Sequence, residues 1–394
     1  MGRIRIGVIG AGGIAQIEHV PNLLRLKDRF DVRGVCDPSR TARAFIAERY
    51  SIATFESVEQ LLHQPLDAVV IASPDPLHKE HVLSALAHGL HVFCEKPLCY
   101  SSHDIRDLIV QRDKAKRVLQ VGYMKRFDPS YEAALDLLPG SSRSLRHVSV
   151  EVSDPDAWPF IRHHDWRKGE DMPRTLIDEV TAKQKAQVAR AIGAGADEAT
   201  FRGFCNAYSS ALVHDVNAVH GLLDRLGIGE GEITGADLFA GGDGGHGSVR
   251  LLGGQALWTM THLTVPRLPD YRERITLYFD DAAIELEFPS PWLNHQPTRL
   301  TLKRGSRHRL SVEDIRSGFA EAFIEELKGF AEGVAQGVAL RNGAEEAARD
   351  MDLLCGLARF RMGLASPASR DASRKASRKQ EKKKPEKGMP GAAQ

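Results

Sequence analysis

Two stretches of this chain have residue types and spacings that could do chemistry. The first is Gly7-Val8-Ile9-Gly10-Ala11-Gly12-Gly13-Ile14-Ala15. A β-branched run leads into it and a helical pattern leads out. Gly10, Gly12 and Ala15 fit G-x-G-x-x-G/A: Gly10 for a tight turn, Gly12 so that a pyrophosphate can reach the backbone, Ala15 for close helix–strand packing. The helix opening at Gly13 and Ile14 offers unpaired N–H groups and a partial positive charge to phosphates. Asp37 ends the second strand, where a carboxylate accepts hydrogen bonds from adenosine ribose hydroxyls. It would repel a 2′-phosphate, which favours NAD, while Arg40 nearby keeps NADP open. The second stretch is Glu95-Lys96-Pro97. Lys96 ends a parallel strand at the carboxyl edge of its sheet, where ligands of doubly wound folds bind. Pro97 holds it extended. A lysine there can donate to a substrate oxygen, and burial beside a cofactor would lower its pKa; an exposed surface lysine is the plain alternative. His163, His164 and Asp165 are metal-ligand types, but His214 and His220 stand six apart and face different sides of a helix. No metal is expected.

The elements that must position these residues follow from periodicity. Short β-branched runs at 3–9, 31–36, 67–72, 91–94 and 118–121 alternate with helical patterns at 14–26, 41–48, 58–63, 79–88 and 104–114. That pitch means βαβ units and a parallel, doubly wound sheet over residues 1–125. Beyond about residue 140 the rhythm changes. A strand at 145–153 precedes a long polar helix at 174–192, which reads as an insertion near 171–200. Its Lys183, Lys185 and Arg190 suggest a solvated face, with a cleft lid or subunit contact as the alternative. After a helix at 211–226, seven strand-like runs between 233 and 312 are joined by turns such as Gly253-Gly254. Helices at 319–336 and 344–362 close a second domain, 126–364. The fold class is α/β: a doubly wound domain followed by a domain with an antiparallel or mixed sheet.

Further motifs give the chain a recognisable likeness. They are Gln16, His19, Pro21 and Leu23 after the glycine loop; Ser73-Pro74-Asp75-Pro76-Leu77-His78; His91 to Leu98 around Glu95-Lys96-Pro97; Gly122-Tyr123-Met124-Lys125-Arg126-Phe127-Asp128-Pro129; and His214-Asp215-Val216-Asn217. With these the sequence resembles the glucose–fructose oxidoreductase/inositol dehydrogenase/rhizopine catabolism (Gfo/Idh/MocA) family over residues 3 to about 226. The resemblance implies a Rossmann domain followed by an α/β domain with an open, largely antiparallel sheet, and hydride transfer between NAD(P) and a secondary alcohol or ketone of a sugar or polyol. It implies Lys96 to orient the oxygen and His214 as general acid/base, with Ser73, His78 and Glu95 at the cofactor. Tyr123 and Arg126 would line the cleft. Trp166 and Arg167 would contact substrate or pack as a loop. One departure stands out: the dehydrogenases have Asp-x-x-x-His here, and four residues before His214 is Ser210. Asp215, about 100° round the helix, could substitute in part. Two other readings stay open, an NAD-binding sensor without turnover and an NAD-dependent glycosidase.

Length and charge bound the rest. The chain has 394 residues and a net charge of +1, but residues 370–394 carry nine basic and three acidic side chains. That tail is +6 and the remainder −5. Without Ile, Leu, Val, Phe, Tyr or Trp after Leu364, the tail 365–394 is expected to be disordered and solvated. Five scattered cysteines argue for a reducing, cytoplasmic setting. No apolar run is long enough to span a membrane. Nucleic acid is not expected as a partner; a small carbohydrate or polyol is, together with self-association through the second sheet, which the resemblance implies.

Overall fold

The alternation of Ile4, Ile6, Val8 and Ile9 with helix-forming stretches has the expected outcome. In the computed structural model, which describes residues 2–364, β1 (Ile4–Ile9) lies inside a six-stranded parallel sheet. The basic tail at 365–394 lies outside the described residues. The other strands are β2 (Phe30–Cys36), β3 (Thr54–Phe55), β4 (Ala68–Ile71), β5 (His91–Glu95) and β6 (Leu119–Gly122), in the order β3-β2-β1-β4-β5-β6. β4 is an unbroken buried run, Ala-Val-Val-Ile, as a strand covered on both faces should be. The order reverses between β1 and β4, which opens a crevice at their carboxyl ends. β3 was not foreseen, since two residues carry no period. The helix expected at 14–26 is split into a π-helical turn, Ala15–His19, and an α-helix, Val20–Arg25, with Pro21 in its first turn.

The second sheet has eight strands: β7 (Leu145–Asp154), β8 (Glu232–Leu238), β9 (Gly244–Leu251), β10 (Ala256–Thr264), β11 (Arg272–Phe279), β12 (Ala282–Phe288), β13 (Arg299–Ser306) and β14 (Arg309–Ile315). They run β14-β13-β12-β11-β7-β10-β9-β8, antiparallel at every contact except β7 with β10. Among the described residues no helix is long and apolar enough to cross a membrane, and all five cysteines are free.

Two helical features depart from a simple serial layout. The helix Arg174–Ile192 is more than a solvated insertion. Lys185 and Arg190 are exposed, but Lys183 pairs with Glu80 at 2.5 Å and Gln187 donates to the carbonyl of Pro76 at 2.8 Å. It thereby fastens the second domain onto the first. The helix Ala322–Gln336 returns to the parallel sheet: Ile324, Leu327, Phe330 and Ala331 share a core with Ile6, Val8 and Phe93. Phe330 meets Phe93 edge-on at 5.8 Å. Behind it, the N–H of Val121 donates to the carbonyl of Asn342 at 3.0 Å.

Candidate functional site

The glycine loop has the form its sequence demands. Gly10 has φ +96°, and a Cβ there would lie 2.6 Å from the carbonyl oxygen of Ala72 at the end of β4. Gly10→Ala is therefore expected to cost about 2 kcal/mol in urea unfolding and to weaken dinucleotide binding with it. Gly12 is exposed, with nothing within 4 Å of a Cβ position, so the backbone stands open to a ligand. Asp37 spans the loop: one carboxylate oxygen accepts from the N–H of Ala11 and the other from the N–H of Ser39, both at 2.8 Å. An open glycine at a helix start with a carboxylate beside it fits a dinucleotide's pyrophosphate and ribose.

Other residues expected at the cofactor have structural duties. His78 is fully buried, and its two ring nitrogens lie 2.8 Å from the carbonyls of Pro97 and Ser73. It clamps the loop after β4 to the loop after β5. Ser73 meets His81 through its hydroxyl at 2.9 Å. Glu95 accepts from His19 at 2.7 Å and from the N–H of Lys96 at 3.2 Å. Burial pushes its carboxyl up, but His19 and Lys96 outweigh that and hold it below its usual range.

Trp166 and Arg167 face the glycine loop. Gln16 closes two bonds with Arg167: its Oε1 accepts from the Arg167 N–H and its Nε2 donates to the Arg167 carbonyl, both at 2.8 Å. The Trp166 ring lies 3.9 Å from a Cβ position on Gly13, and the Arg167 guanidinium sits 5.8 Å from the Phe45 ring centroid. The segment forms a strap from the second domain across the loop. These two residues are thus at the expected dinucleotide end rather than beside His214.

Lys96 and His214 are brought to one place. The Lys96 ammonium donates to the backbone carbonyl of Ser210 at 2.9 Å. Ser210 belongs to a π-helical run, Phe204–Leu212, that feeds into the helix Val213–Arg225 carrying His214. Such wide turns recur at functional sites because they shift the carbonyl ladder. A neutral carbonyl thus stands at Lys96, in place of the carboxylate that the sequence resemblance implies four residues before His214. The His214 ring is half-buried, with its Nδ1 inside and without a hydrogen-bond partner among the described residues. Tyr123 packs edge-on against it at 6.1 Å between centroids. Burial, reinforced by the positive charges of Lys96 and Lys125, holds the imidazole well below its ordinary pKa. It is neutral at physiological pH. Asp350 fixes the helix from behind, accepting from Asn217 at 2.8 Å and pairing with His220 at 2.6 Å.

The remaining expectations need correction. Tyr123 is 1% exposed and its hydroxyl lies in the core, where it has no hydrogen-bond partner among the described residues. Arg126 spends its guanidinium on the carbonyls of Asn217 and Arg341, tying elements together rather than lining a cleft. Asp215 does not stand in for the missing aspartate: it is fully buried and accepts from Lys125 at 2.7 Å. Lys125, also buried, pairs with Glu273 as well, and Glu273 accepts from Tyr271 at 2.9 Å. One ammonium cannot neutralise two buried carboxylates. Burial first and Glu273 second push the Asp215 carboxyl up, while burial of Lys125 is outweighed by its two partners, which keep it charged. Sequence reading saw Lys125 only as part of a motif. Its partner Glu273 comes 148 positions later, and no local signal announces it.

Residues 4–123 match the model of the Gfo/Idh/MocA oxidoreductase family, described as having an NAD-binding Rossmann fold. An inositol 2-dehydrogenase of Rubrobacter xylanophilus is 35% identical over 189 residues, 45% of this chain and 53% of its own length. Inositol 2-dehydrogenase 3 of Saccharopolyspora erythraea is 35% identical over 137 residues, 34% of this chain and 40% of its own. The chain thus spans about half, or less, of the length of the curated relatives it matches. Among solved structures, the 3-ketoreductase KijD10 of Actinomadura kijaniata, in complex with NADP and TDP-benzene, aligns with a TM-score of 0.68 at 19% identity, covering 92% of this chain and 98% of that one. The UDP-N-acetylglucosamine 3-dehydrogenase of Acidithiobacillus ferrooxidans gives 0.64 at 18%, with the same coverage. At these identities the likeness is one of fold. Over residues 4–123 the chain is thus similar to the Gfo/Idh/MocA oxidoreductases, and beyond them it shares the fold of the solved structures.

Proposed function

We propose that the protein is an NAD(P)-dependent oxidoreductase acting on a CH–OH group, or the matching ketone, of a sugar or polyol. The observation that carries this reading is the meeting of Lys96 with the carbonyl of Ser210, one turn before His214, at the carboxyl edge of a sheet that also carries the open glycine loop. Gly10, Gly12, Gly13, Ile14 and Asp37 would hold the dinucleotide, with Trp166 and Arg167 over the loop. When bound, its nicotinamide supplies the hydride acceptor or donor. Lys96 donates to the substrate oxygen and stabilises negative charge there. His214, held neutral, takes the hydroxyl proton in oxidation and returns it in reduction. The two inositol dehydrogenases among the relatives support a polyol as substrate class. The outer face of the second sheet leaves Leu257, Leu263 and Tyr278 39%, 43% and 44% exposed, which supports pairing with a second copy.

The test is deuteride transfer from [4-²H]NADH to a panel of keto-sugars and inosose, alongside NAD-linked oxidation of myo-inositol. His214→Asn is expected to lower the rate by ~10²–10⁴. Because burial holds the His214 pKa well below its ordinary value, oxidation by the parent enzyme should keep its base through the pH range in which a free imidazole becomes protonated. Nucleotide binding without any deuteride transfer would favour the second reading, a sensor, to which Ser210 in place of a carboxylate lends support.

A further inference from the structure

Asp171 arrives from the second domain at an unusual address. Its Oδ1 lies 2.5 Å from the hydroxyl of Ser39, and its Oδ2 accepts from the N–H of Thr41 at 3.1 Å. Ser39 caps the helix Arg40–Tyr50 and is 1% exposed. The N–H of the same Ser39 donates to Asp37 at 2.8 Å. Two carboxylates therefore flank one serine, Asp37 on its backbone and Asp171 on its side chain. The approach is shaped for this. A Cβ on Gly169 would lie 2.7 Å from the Ser39 hydroxyl, so only glycine lets the strap seat. The strap is also anchored independently of Asp171, through Arg167 and Gln16.

These contacts bear on which dinucleotide enters. Asp37 is the ribose acceptor in the reading given above, on which this inference rests. A phosphate on the ribose 2′-oxygen would fall beside Asp37, against Ser39, Arg40 and Thr41. A hydroxyl, a helix-terminal N–H and a guanidinium are the donors that suit a phosphate. Two of the three are already taken by Asp171, whose charge would oppose the phosphate's. Its hydrogen bonds from Ser39 and Thr41 draw its pKa down to about 2, so it is ionised at neutral pH. We propose that Asp171 is a specificity-determining residue that excludes NADP by occupying the 2′-phosphate position with a carboxylate from the second domain. Asp37 repels the phosphate from one side but leaves the donors of Ser39, Arg40 and Thr41 free to hold it; Asp171 closes that cluster. The attractive element of that cluster is retained and a repulsive one is laid over it.

The test is binding of NADH and NADPH, by fluorescence and calorimetry, to the full chain and to Asp171→Ala and Asp171→Asn. The parent should prefer NADH by ~100-fold or more, since like-charge juxtaposition is a strong discriminator. Asp171→Ala should tighten NADPH ~10-fold or more and leave NADH within about threefold. Asp171→Asn, which keeps an acceptor but drops the charge, should fall between. Adding Arg40→Ala to Asp171→Ala should reverse the gain. Unmoved NADPH affinity in both variants, with NADH still bound, would overturn the proposal alone. Equal loss of both nucleotides would overturn it too, making Asp171 a latch for the strap. Failure of the parent to bind either nucleotide would sink the dinucleotide reading itself, and the proposal with it.

Discussion

On the proposed oxidoreductase reading, Lys96→Met is expected to lower turnover of a polyol or keto-sugar by ~10³-fold, with NADH affinity within about threefold of the parent. The ammonium donates to the Ser210 carbonyl at 2.9 Å, so one donor is already aimed and two remain for a substrate oxygen. Methionine keeps the length and apolar stem of lysine but removes the charge that stabilises an alkoxide. Lys96→Arg should recover only part of the rate, because a planar fork cannot occupy the geometry of a compact ammonium. The relevant readout is the split between constants. Loss in kcat with nucleotide binding preserved places Lys96 at the reacting oxygen, whereas parallel loss of NADH binding would make it a cofactor anchor. Unchanged turnover would remove it from the chemistry.

Lys125→Met should be the most destabilising single change near the site, costing about 3–5 kcal/mol in chemical denaturation at pH 7. It leaves Asp215 and Glu273 as buried carboxylates without their shared cation. The pH dependence distinguishes this cause from loss of packing. A carboxylate with raised pKa costs the fold most above the raised value, and the cost shrinks steadily as pH falls from there toward the ordinary carboxylate range. The deficit should therefore shrink between pH 8 and pH 5, and Lys125→Met combined with Asp215→Asn should be more stable than Lys125→Met alone. A deficit independent of pH would mean that the lysine stem, 5.0 Å from the Phe288 ring centroid at its ammonium, matters more than its charge.

What was legible in the sequence was whatever is encoded locally. β-branched runs alternating with helical ones gave the parallel sheet, and Gly10, Gly12 and Asp37 gave the loop, because strand, turn and helix are neighbours along the chain. Lys96 was legible from its place at a strand end. The partners were not. Arg167 meets Gln16 across 151 positions, and Arg126 meets Asn217 across 91. A motif says that a side chain is needed, not which way it turns. His78 shows the difference: its position matched a cofactor contact, yet its ring is committed to two carbonyls from different loops. Asp215 failed as the substitute aspartate for a similar reason. The step of about 100° that separates it from His214 carries it into the core, where it meets Lys125.

The helix Ala322–Gln336 has a bearing on how the chain is made. The parallel sheet, though built from the first 122 residues, has part of its apolar face covered by Ile324, Leu327 and Phe330. During synthesis that face must wait for some two hundred further residues to leave the ribosome before its cover arrives. The nucleotide-binding half is thus first in sequence but among the last parts to be sealed. Contacts this distant slow folding and leave apolar surface exposed in the interval. A nascent chain halted before residue 320 would present Ile6, Val8 and Phe93 beneath an uncovered layer, as a substrate for chaperones rather than for nucleotide.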